Sequence, residues 1–149
     1  MSKGVSRCTG VIIAVGILAA FPRAAQQQET AKACATLVGT WKIATAVYGG
    51  EERKFPIGRT TLKHVTPTQF AWLTYGADGI VTRTAGGGYT LKGETYEETP
   101  EYGFGSDFEV VKGKAQTFAC RIEGNKWYQK GSLSNGLTIE EVWERVEPK

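Results

Sequence analysis

The stretch Gly39-Thr40-Trp41 opens a run of alternating side chains, and it decides the fold predicted for this chain. Glycine lets the backbone enter a strand at a tight angle. In a regular strand every second side chain from Trp41 onward, through Thr45 and Val47, points to one side. Arg145 lies in the last strand-like run, 137–146, and a guanidinium can lie flat on an indole. Stacking of Arg145 on Trp41 would join the first strand to the last and close the sheet. The alternative is an ordinary core tryptophan and a solvated arginine.

The rest of the chain is a series of short strand-like segments. Its 19 glycines and 11% aromatic share favour an all-β domain. Side chains alternate over residues 37–48, 60–66, 69–75, 80–85, 89–92, 94–101, 115–123, 126–133 and 137–146. Short turns without intervening helices exclude a doubly wound fold. A sandwich is compatible with this pattern. An up-and-down antiparallel β-barrel of about eight to ten strands is preferred, because closure removes exposed edges.

Three connecting segments carry predictions of their own. Residues 49–59 combine two adjacent glycines, a charge cluster and a proline, which predicts a loop and a candidate flap. Gly86-Gly87-Gly88 lies between two strand-like runs and predicts a sharp bend or a bulge. No helical pattern follows it, which argues against a phosphate-binding loop. Ser106 and Asp107 predict the cap of one helical turn that ends at Val111.

Further short motifs extend the pattern that begins at Trp41. They are Phe70-Ala71-Trp72, Gly87-Gly88-Tyr89-Thr90-Leu91, Tyr96-Glu97-Glu98, Trp127-Tyr128-Gln129 and Glu141-Val142-Trp143-Glu144-Arg145. Glycine-x-tryptophan on the first strand with an arginine on the last resembles the signature of the lipocalins and their calycin relatives. The wider set of motifs resembles a small secreted lipocalin-like family of bacteria. This resemblance implies a lipocalin-like barrel over residues 37–147, but it implies no established activity.

Residues 1–25 have the features of a secretory signal peptide. Two basic residues precede an apolar run, 11–21, which is short for a membrane span. Residues 26–36 form a polar, alanine-rich lead to the barrel domain. We therefore expect a periplasmic or secreted protein without stable membrane insertion after cleavage. A retained N-terminal anchor is the alternative.

Loss of the signal peptide would leave an electrically neutral chain. The full sequence has 18 basic and 15 acidic side chains, and residues 1–25 carry three basic and no acidic ones, which leaves fifteen of each. This balance gives no support for nucleic-acid binding, so we expect no nucleic-acid partner.

Two cysteines, Cys34 and Cys120, lie beyond the signal peptide. In an exported protein such a pair can form one disulfide, which would tie the N-terminal lead to a late strand. A buried free thiol at Cys120 is the alternative interpretation.

The predicted interior mixes large aromatic side chains with polar ones. If Trp41 faces inward, alternation and the family pattern place further side chains inside: Phe70, Trp72, Tyr89, Leu91, Tyr96, Glu98, Trp127, Gln129, Glu141, Trp143, Arg145 and, through Leu62, His64. Buried charge is costly unless it is paired, hydrated or faces a ligand, and Arg145 is the candidate partner of Glu141 or Glu98. Three interpretations stay open: a ligand pocket, a self-satisfied polar core, and strands whose register is off by one residue.

The sequence therefore predicts a barrel that binds a small hydrophobic or aromatic molecule in its lumen. The predicted ligand-binding residues are His64, Phe70, Trp72, Tyr96, Glu98, Trp127, Gln129, Glu141 and Trp143, with Trp41 and Arg145 in a structural role. A single histidine and two distant cysteines predict no metal site and no cofactor. An enzyme of cyclase or isomerase type that transfers protons through His64 or Glu98 is the alternative. A third class is a structural or interaction domain without a ligand. The sequence does not indicate the oligomeric state.

Overall fold

The computed structural model describes Cys34 and residues 37–147. The predicted signal peptide, 1–25, and most of the lead, 26–36, lie outside the described residues. The elements are β1 Gly39–Tyr48, β2 Glu51–Glu52, β3 Thr60–Val65, β4 Gln69–Tyr75, β5 Val81–Lys92, β6 Thr95–Phe104, α1 Ser106–Val111, β7 Gln116–Glu123, β8 Lys126–Ser132 and β9 Thr138–Arg145. No helix in this part of the chain is long and apolar enough to cross a membrane.

The strands form one closed antiparallel sheet. Strands β1 and β3 to β9 pair in chain order, and β9 pairs back onto β1, so eight strands make an up-and-down barrel. The two-residue strand β2 is an additional edge piece on the last residues of β1. This confirms the predicted up-and-down antiparallel β-barrel, and closure leaves none of the eight strands with a free edge along its full length.

Arg145 of the last strand stacks on Trp41 of the first strand, and this contact, called the Trp41–Arg145 staple below, explains why residue 39 is a glycine. The Arg145 guanidinium lies 4.1 Å from the centre of the Trp41 ring and donates a hydrogen bond to the Val38 carbonyl. A Cβ on Gly39 would collide with that guanidinium, and its φ of 145° disfavours other residues. The indole Nε1 of Trp41 also donates a hydrogen bond to the Leu37 carbonyl at 2.8 Å. The end of the barrel that holds Trp41 is called the lower end below.

Strand β1 changes its inward face halfway along. Ile43 pairs with Trp143 and Thr45 with Val142, so Ala44 is an extra residue on β1. Such a bulge reverses the side to which the following side chains point. The prediction that Thr45 and Val47 share the side of Trp41 is therefore wrong, because the buried positions after the bulge are out of phase with it. Ala46 is buried and Thr45 is exposed.

The triple glycine lies within a single strand. Residues 80–85 and 89–92, predicted as separate runs, both belong to β5 apart from Ile80. The predicted irregularity lies at the junction with β6, where Gly86 pairs with Tyr102 and Gly87 with Pro100. The skipped residue, Glu101, is on β6. The β6 backbone passes so close to Gly87 that a Cβ there would meet the Thr99 carbonyl.

The structure differs in part from the predicted loop, 49–59, and from the predicted helical turn. Residues 49–59 contain β2, so the segment is not a loop throughout. The helix ends at Val111 as predicted, but its N-cap is Gly105, and no side chain of Ser106 or Asp107 caps it. Phe108 and Val111 are the buried residues of α1, which thereby packs against the upper end of the barrel.

The lower half of the barrel is filled. A disulfide joins Cys34 to Cys120 with a Cα–Cα distance of 6.3 Å. The packed cluster around it contains Leu37, Trp41, Ile43, Ala46, Val65, Tyr96, Phe118, Trp127, Ile139 and Trp143. Trp127 is at its centre, with Trp41, Tyr96 and Trp143 within 6.1 Å between ring centres. Burial of this aromatic surface is the main favourable contribution to folding in this half.

Candidate functional site

The upper half of the barrel encloses a cavity of about 540 Å³. We call it the upper cavity. Its apolar walls come from five strands, from α1 and from two connecting segments: Ile43, Phe55, Trp72, Pro100, Val110, Val111, Phe118, Leu133, Leu137, Ile139 and Trp143. Eight-stranded barrels either fill their interior or hold one small ligand. This barrel is filled in its lower half and hollow in its upper half, and its hollow has the size of a small-molecule site.

A buried lysine occupies the floor of the upper cavity. Lys63 is 1% exposed, and its Nζ lies 2.6 Å from Glu98 Oε2 and 3.3 Å from Gln129 Oε1. The Tyr96 hydroxyl donates to the same Glu98 oxygen at 2.8 Å. Three elements, β3, β6 and β8, therefore meet in one charged network. Removing charges from water is costly, and the hydrogen bonds from Tyr96 to Glu98 and from Lys63 to Gln129 offset part of that cost.

Aromatic rings surround the ammonium group of Lys63. The distances from Nζ to the ring centres are 5.2 Å for Phe70, 5.1 Å for Tyr96, 4.9 Å for Trp127 and 5.6 Å for Trp143. Each distance is within the range of a cation–π interaction. The rings replace part of the hydration that Lys63 loses on burial, so the packed lower half and the polar floor of the cavity stabilise each other.

A second carboxyl, Glu141, faces the same cavity. Tyr48 donates its hydroxyl to Glu141 Oε1 at 2.5 Å, and Trp143 Nε1 donates to Oε2 at 3.1 Å. Burial raises the pKa of the Glu141 carboxyl, and Glu98 acts in the same direction, whereas Lys63 and the two hydrogen bonds lower it. Burial and the neighbouring Glu141 in turn raise the pKa of Tyr48.

The walls carry neutral polar pairs as well. Thr61 and Thr74 share a 2.8 Å hydrogen bond between their hydroxyls. Gln116 is held by the Lys114 carbonyl and accepts from the Ser134 backbone N–H. These fixed groups give the upper cavity a small number of oriented polar atoms between apolar walls, the usual composition of a small-molecule site.

The mouth of the upper cavity is formed by the segment after β2 and by α1. Arg53, Lys54 and Arg59 line it with exposed charges, and the Arg53 guanidinium lies 5.4 Å from the centre of the Tyr48 ring. Opposite them, Arg83 forms an ion pair with Asp107 of α1. The segment predicted as a candidate flap therefore contributes side chains to the cavity.

Eight of the nine predicted ligand-binding residues point inward and fall into two groups, and the ninth, His64, lies on the outer face of β3. Trp72, Glu98, Gln129, Glu141 and Trp143 line the upper cavity. Phe70, Tyr96 and Trp127 point inward, but they are almost fully buried under Lys63 and are not among its lining residues. Tyr89 and Leu91, also expected inside, are partly buried against the lower cluster.

The structure does not place His64 in the lumen, where the sequence pattern predicts it. Its neighbours Lys63 and Val65 are buried, whereas His64 and Leu62 alternate with them on the outer face of β3. His64 Nδ1 lies 3.0 Å from the Thr40 hydroxyl of the adjacent strand. The register of β3 inferred from the sequence was off by one residue, so the expectation that His64 faces the lumen is wrong.

The predicted partner of Glu98 and Glu141 is also corrected. Arg145 lies against Trp41 at the lower end, and Lys63 is the cation that pairs with Glu98. Sequence reasoning did not identify Lys63, Tyr48, Thr61 or Thr74 as interior residues. The one available signal was Val65, whose apolar side chain places Thr61 and Lys63 on its own face of β3 by alternation.

The described residues contain no group of three or more histidine, cysteine, aspartate or glutamate side chains that could hold a metal ion. The deep part of the upper cavity offers the carboxyls of Glu98 and Glu141, the ammonium group of Lys63 and aromatic faces, while its mouth adds exposed basic side chains and Asp107.

No protein-family model matches the chain, and no curated protein sequence matches it significantly. Solved structures do match. A redesigned β-barrel is 17% identical, with a TM-score of 0.51 over 78% of this chain and 96% of that one. A fatty acid transporter is 11% identical with a TM-score of 0.42, covering 77% and 99%. A variant of the fluorescent protein UnaG is 13% identical with a TM-score of 0.36, covering 73% and 95%. At such identities the likeness concerns the fold alone, and the two lower scores add no argument about function.

Proposed function

We propose that this protein binds a small hydrophobic or aromatic molecule in the upper cavity. The observation that carries the proposal is the cavity of about 540 Å³ beside a fully packed lower half. The aromatic cluster around Trp127 supplies a buried core in the lower half, and the space above it is left unfilled by side chains. Unfilled apolar space in a core reduces stability, roughly in proportion to its volume. A bound ligand would offset that cost.

The walls favour a ligand with a flat apolar body. Trp72 and Trp143 both line the upper cavity, and an indole face packs well against a planar ring. Glu98 and Gln129 are held in place by Lys63, so the ligand meets polar atoms whose positions are already fixed. Fixed groups orient a ligand at little entropic cost.

A periplasmic or secreted location is part of the same proposal. It is supported by the Cys34–Cys120 disulfide, because such bonds persist in oxidising compartments. A carrier of small apolar molecules between surfaces would also act in such a compartment. The enzyme alternative is weaker, since His64 lies on the outer face and Glu98 is engaged by both Lys63 and Tyr96.

Fluorescence titration with the neutral dye Nile red tests the proposal. The dye is expected to bind one to one with the emission increase typical of an apolar site. Trp72→Ala removes one wall of the upper cavity and is expected to weaken binding about tenfold, the effect of losing roughly 1.4 kcal/mol of contact. Tyr128→Ala is the matched control, because Tyr128 lies on the outer face of β8 under Arg121.

An unchanged affinity in Tyr128→Ala together with a loss in Trp72→Ala supports a site in the upper cavity. Equal losses in both variants, or no saturable binding by the wild-type protein, contradict it. Circular dichroism of both variants confirms that the barrel is intact in each.

A further inference from the structure

We propose that the upper cavity selects a ligand that carries a positively charged nitrogen on its apolar body, and that Glu141 is the counter-charge for this nitrogen. The inference rests on the proposed function, since it assumes that the upper cavity is a ligand site. It adds the chemical class of the ligand, an amphiphilic or aromatic amine rather than a carboxylic acid.

The first argument is the balance of buried charge. Among Cys34 and residues 37–147, the buried charged side chains are Lys63, Glu98 and Glu141. Lys63 Nζ forms its ion pair with Glu98 at 2.6 Å. One cation thus faces two carboxyls, and the interior has one negative charge too many when both are ionised. A ligand with a single positive charge would restore neutrality.

The second argument is the position of Glu141. It lines the upper cavity, and both of its oxygens are held by donors, Tyr48 and Trp143. An ionised carboxylate has about four lone-pair positions, so these two hydrogen bonds leave acceptor positions available. Tyr48 and Trp143 fix the carboxylate without carrying a full charge. An ammonium group can therefore bind to a carboxylate that is already oriented.

The third argument is the aromatic surface near that carboxyl. The Trp143 indole donates to Glu141 and lines the same cavity, as does Trp72. The protein already surrounds the Lys63 ammonium group with aromatic rings and a carboxyl in this barrel. A ligand ammonium beside Glu141 and Trp143 would have surroundings of the same chemistry, with cation–π attraction added to the ion pair.

The basic rim does not reverse this preference. Arg53, Lys54 and Arg59 are exposed, so water and salt screen their charges. Arg83, a further cation that lines the cavity, is paired with Asp107. Glu141 is 9% exposed, and charge interactions are stronger at a site removed from water. The rim therefore acts on the approach of a ligand, while the buried carboxyl decides which headgroup is retained.

A matched ligand series tests this inference. Phenylbutylamine, phenylbutanol and phenylbutyrate share one apolar body and differ in headgroup, and displacement of Nile red measures their affinities. The amine is expected to bind at least about tenfold more tightly than the carboxylate, which corresponds to roughly 1.4 kcal/mol. Glu141→Gln is expected to remove the amine's advantage and to leave the affinity for the alcohol unchanged. Glu140→Gln, one residue away on the outer face and paired with Lys130, is the control.

A second measurement, the pH dependence of ligand affinity, uses the wild-type protein alone and so needs no variant. In the wild-type protein the amine's affinity is expected to rise with pH as Glu141 ionises, over a range in which the amine stays charged, while the alcohol's affinity stays constant. Equal affinities across the series, preference for the carboxylate, or a flat pH profile for the amine overturn the inference and leave the ligand site intact. If Nile red itself does not bind, the proposed function fails and the inference fails with it.

Discussion

Replacement of Lys63 tests the charged floor of the upper cavity directly. Lys63→Met keeps the length of the side chain and leaves an apolar, polarisable group among the aromatic rings. It also leaves Glu98 without its cation, at a side-chain exposure of 8%. Removal of one partner from a buried ion pair costs about 3–5 kcal/mol, so the free energy of unfolding is expected to fall by that amount.

Urea denaturation followed by tryptophan fluorescence measures the change. The double variant Lys63→Met/Glu98→Gln removes both charges, and it is expected to recover most of the loss, because a neutral pair in an apolar surrounding carries little penalty. Lys130→Met is the matched control. Lys130 pairs with Glu140 on the outer surface, with side chains 69% and 53% exposed, and its loss is expected to cost at most about 1 kcal/mol.

The reasoning is refuted if Lys63→Met costs no more than Lys130→Met, or if the double variant is no more stable than the single one. Should Lys63→Met fail to fold, the double variant decides the matter, since its recovery requires that the unpaired carboxylate is the cause.

Three further predictions concern other parts of the molecule. Because burial raises the pKa of Glu141, the folded state binds its proton more tightly than the unfolded state. The stability is therefore expected to fall as pH rises from the ordinary carboxyl range through the raised value, and Glu141→Gln is expected to flatten this dependence in urea titrations. Gly39→Ala is expected to cost roughly 1–3 kcal/mol in the same assay, because alanine is strained at a φ of 145° and displaces the Arg145 guanidinium. Reduction of the Cys34–Cys120 disulfide, which joins residues 86 apart, is expected to cost roughly 4–5 kcal/mol by loop entropy.

Each of these has its control. Glu140→Gln should keep the pH dependence of the wild type. Gly50→Ala has a φ of 85° but no atom near the added Cβ, so it should cost less than Gly39→Ala. A Cys34→Ala/Cys120→Ala variant should not respond to reductant. A flat wild-type pH profile, equal costs at the two glycines, or a reductant effect without cysteines would each contradict the corresponding prediction.

The closure of the barrel could be predicted because short sequence motifs mark the first strand, the last strand and the turns between strands. Gly39 and Trp41 are two residues apart at the start of the first strand, and Arg145 lies in the last strand-like run of the sequence. The hairpins follow from glycines at their turns, as at Gly93 and Gly124, which both have positive φ. The turn glycines act through local backbone geometry, whereas the distant contact of Arg145 with Trp41 was accessible because the pair resembles the lipocalin signature.

The floor of the upper cavity could not be predicted, because its stability depends on contacts between distant residues. Lysine is rarely buried, and the carboxylate that makes its burial tolerable is 35 residues away on another strand. The sequence pattern places Glu98 inside, but the apolar Leu62 favours an inner face of Leu62 and His64 on β3, and this assignment puts Lys63 outside. The bulge at Ala44 could not be predicted either, because alanine fits both the inner and the outer face of a strand and leaves no break in the alternation.

The packed lower half and the hollow upper half of the barrel meet in one shared layer, because Ile43, Phe118, Ile139 and Trp143 belong to the core cluster and also line the upper cavity. The disulfide, the Trp41–Arg145 staple and the stacked indoles keep the fold together at one end. At the other end, Trp72 and Val110 line the upper cavity without belonging to the core cluster, so a change in their size alters the cavity and leaves that cluster complete. Under the proposed function, substitutions at such positions are expected to change which molecule the upper cavity accepts, while the lower end keeps the barrel folded.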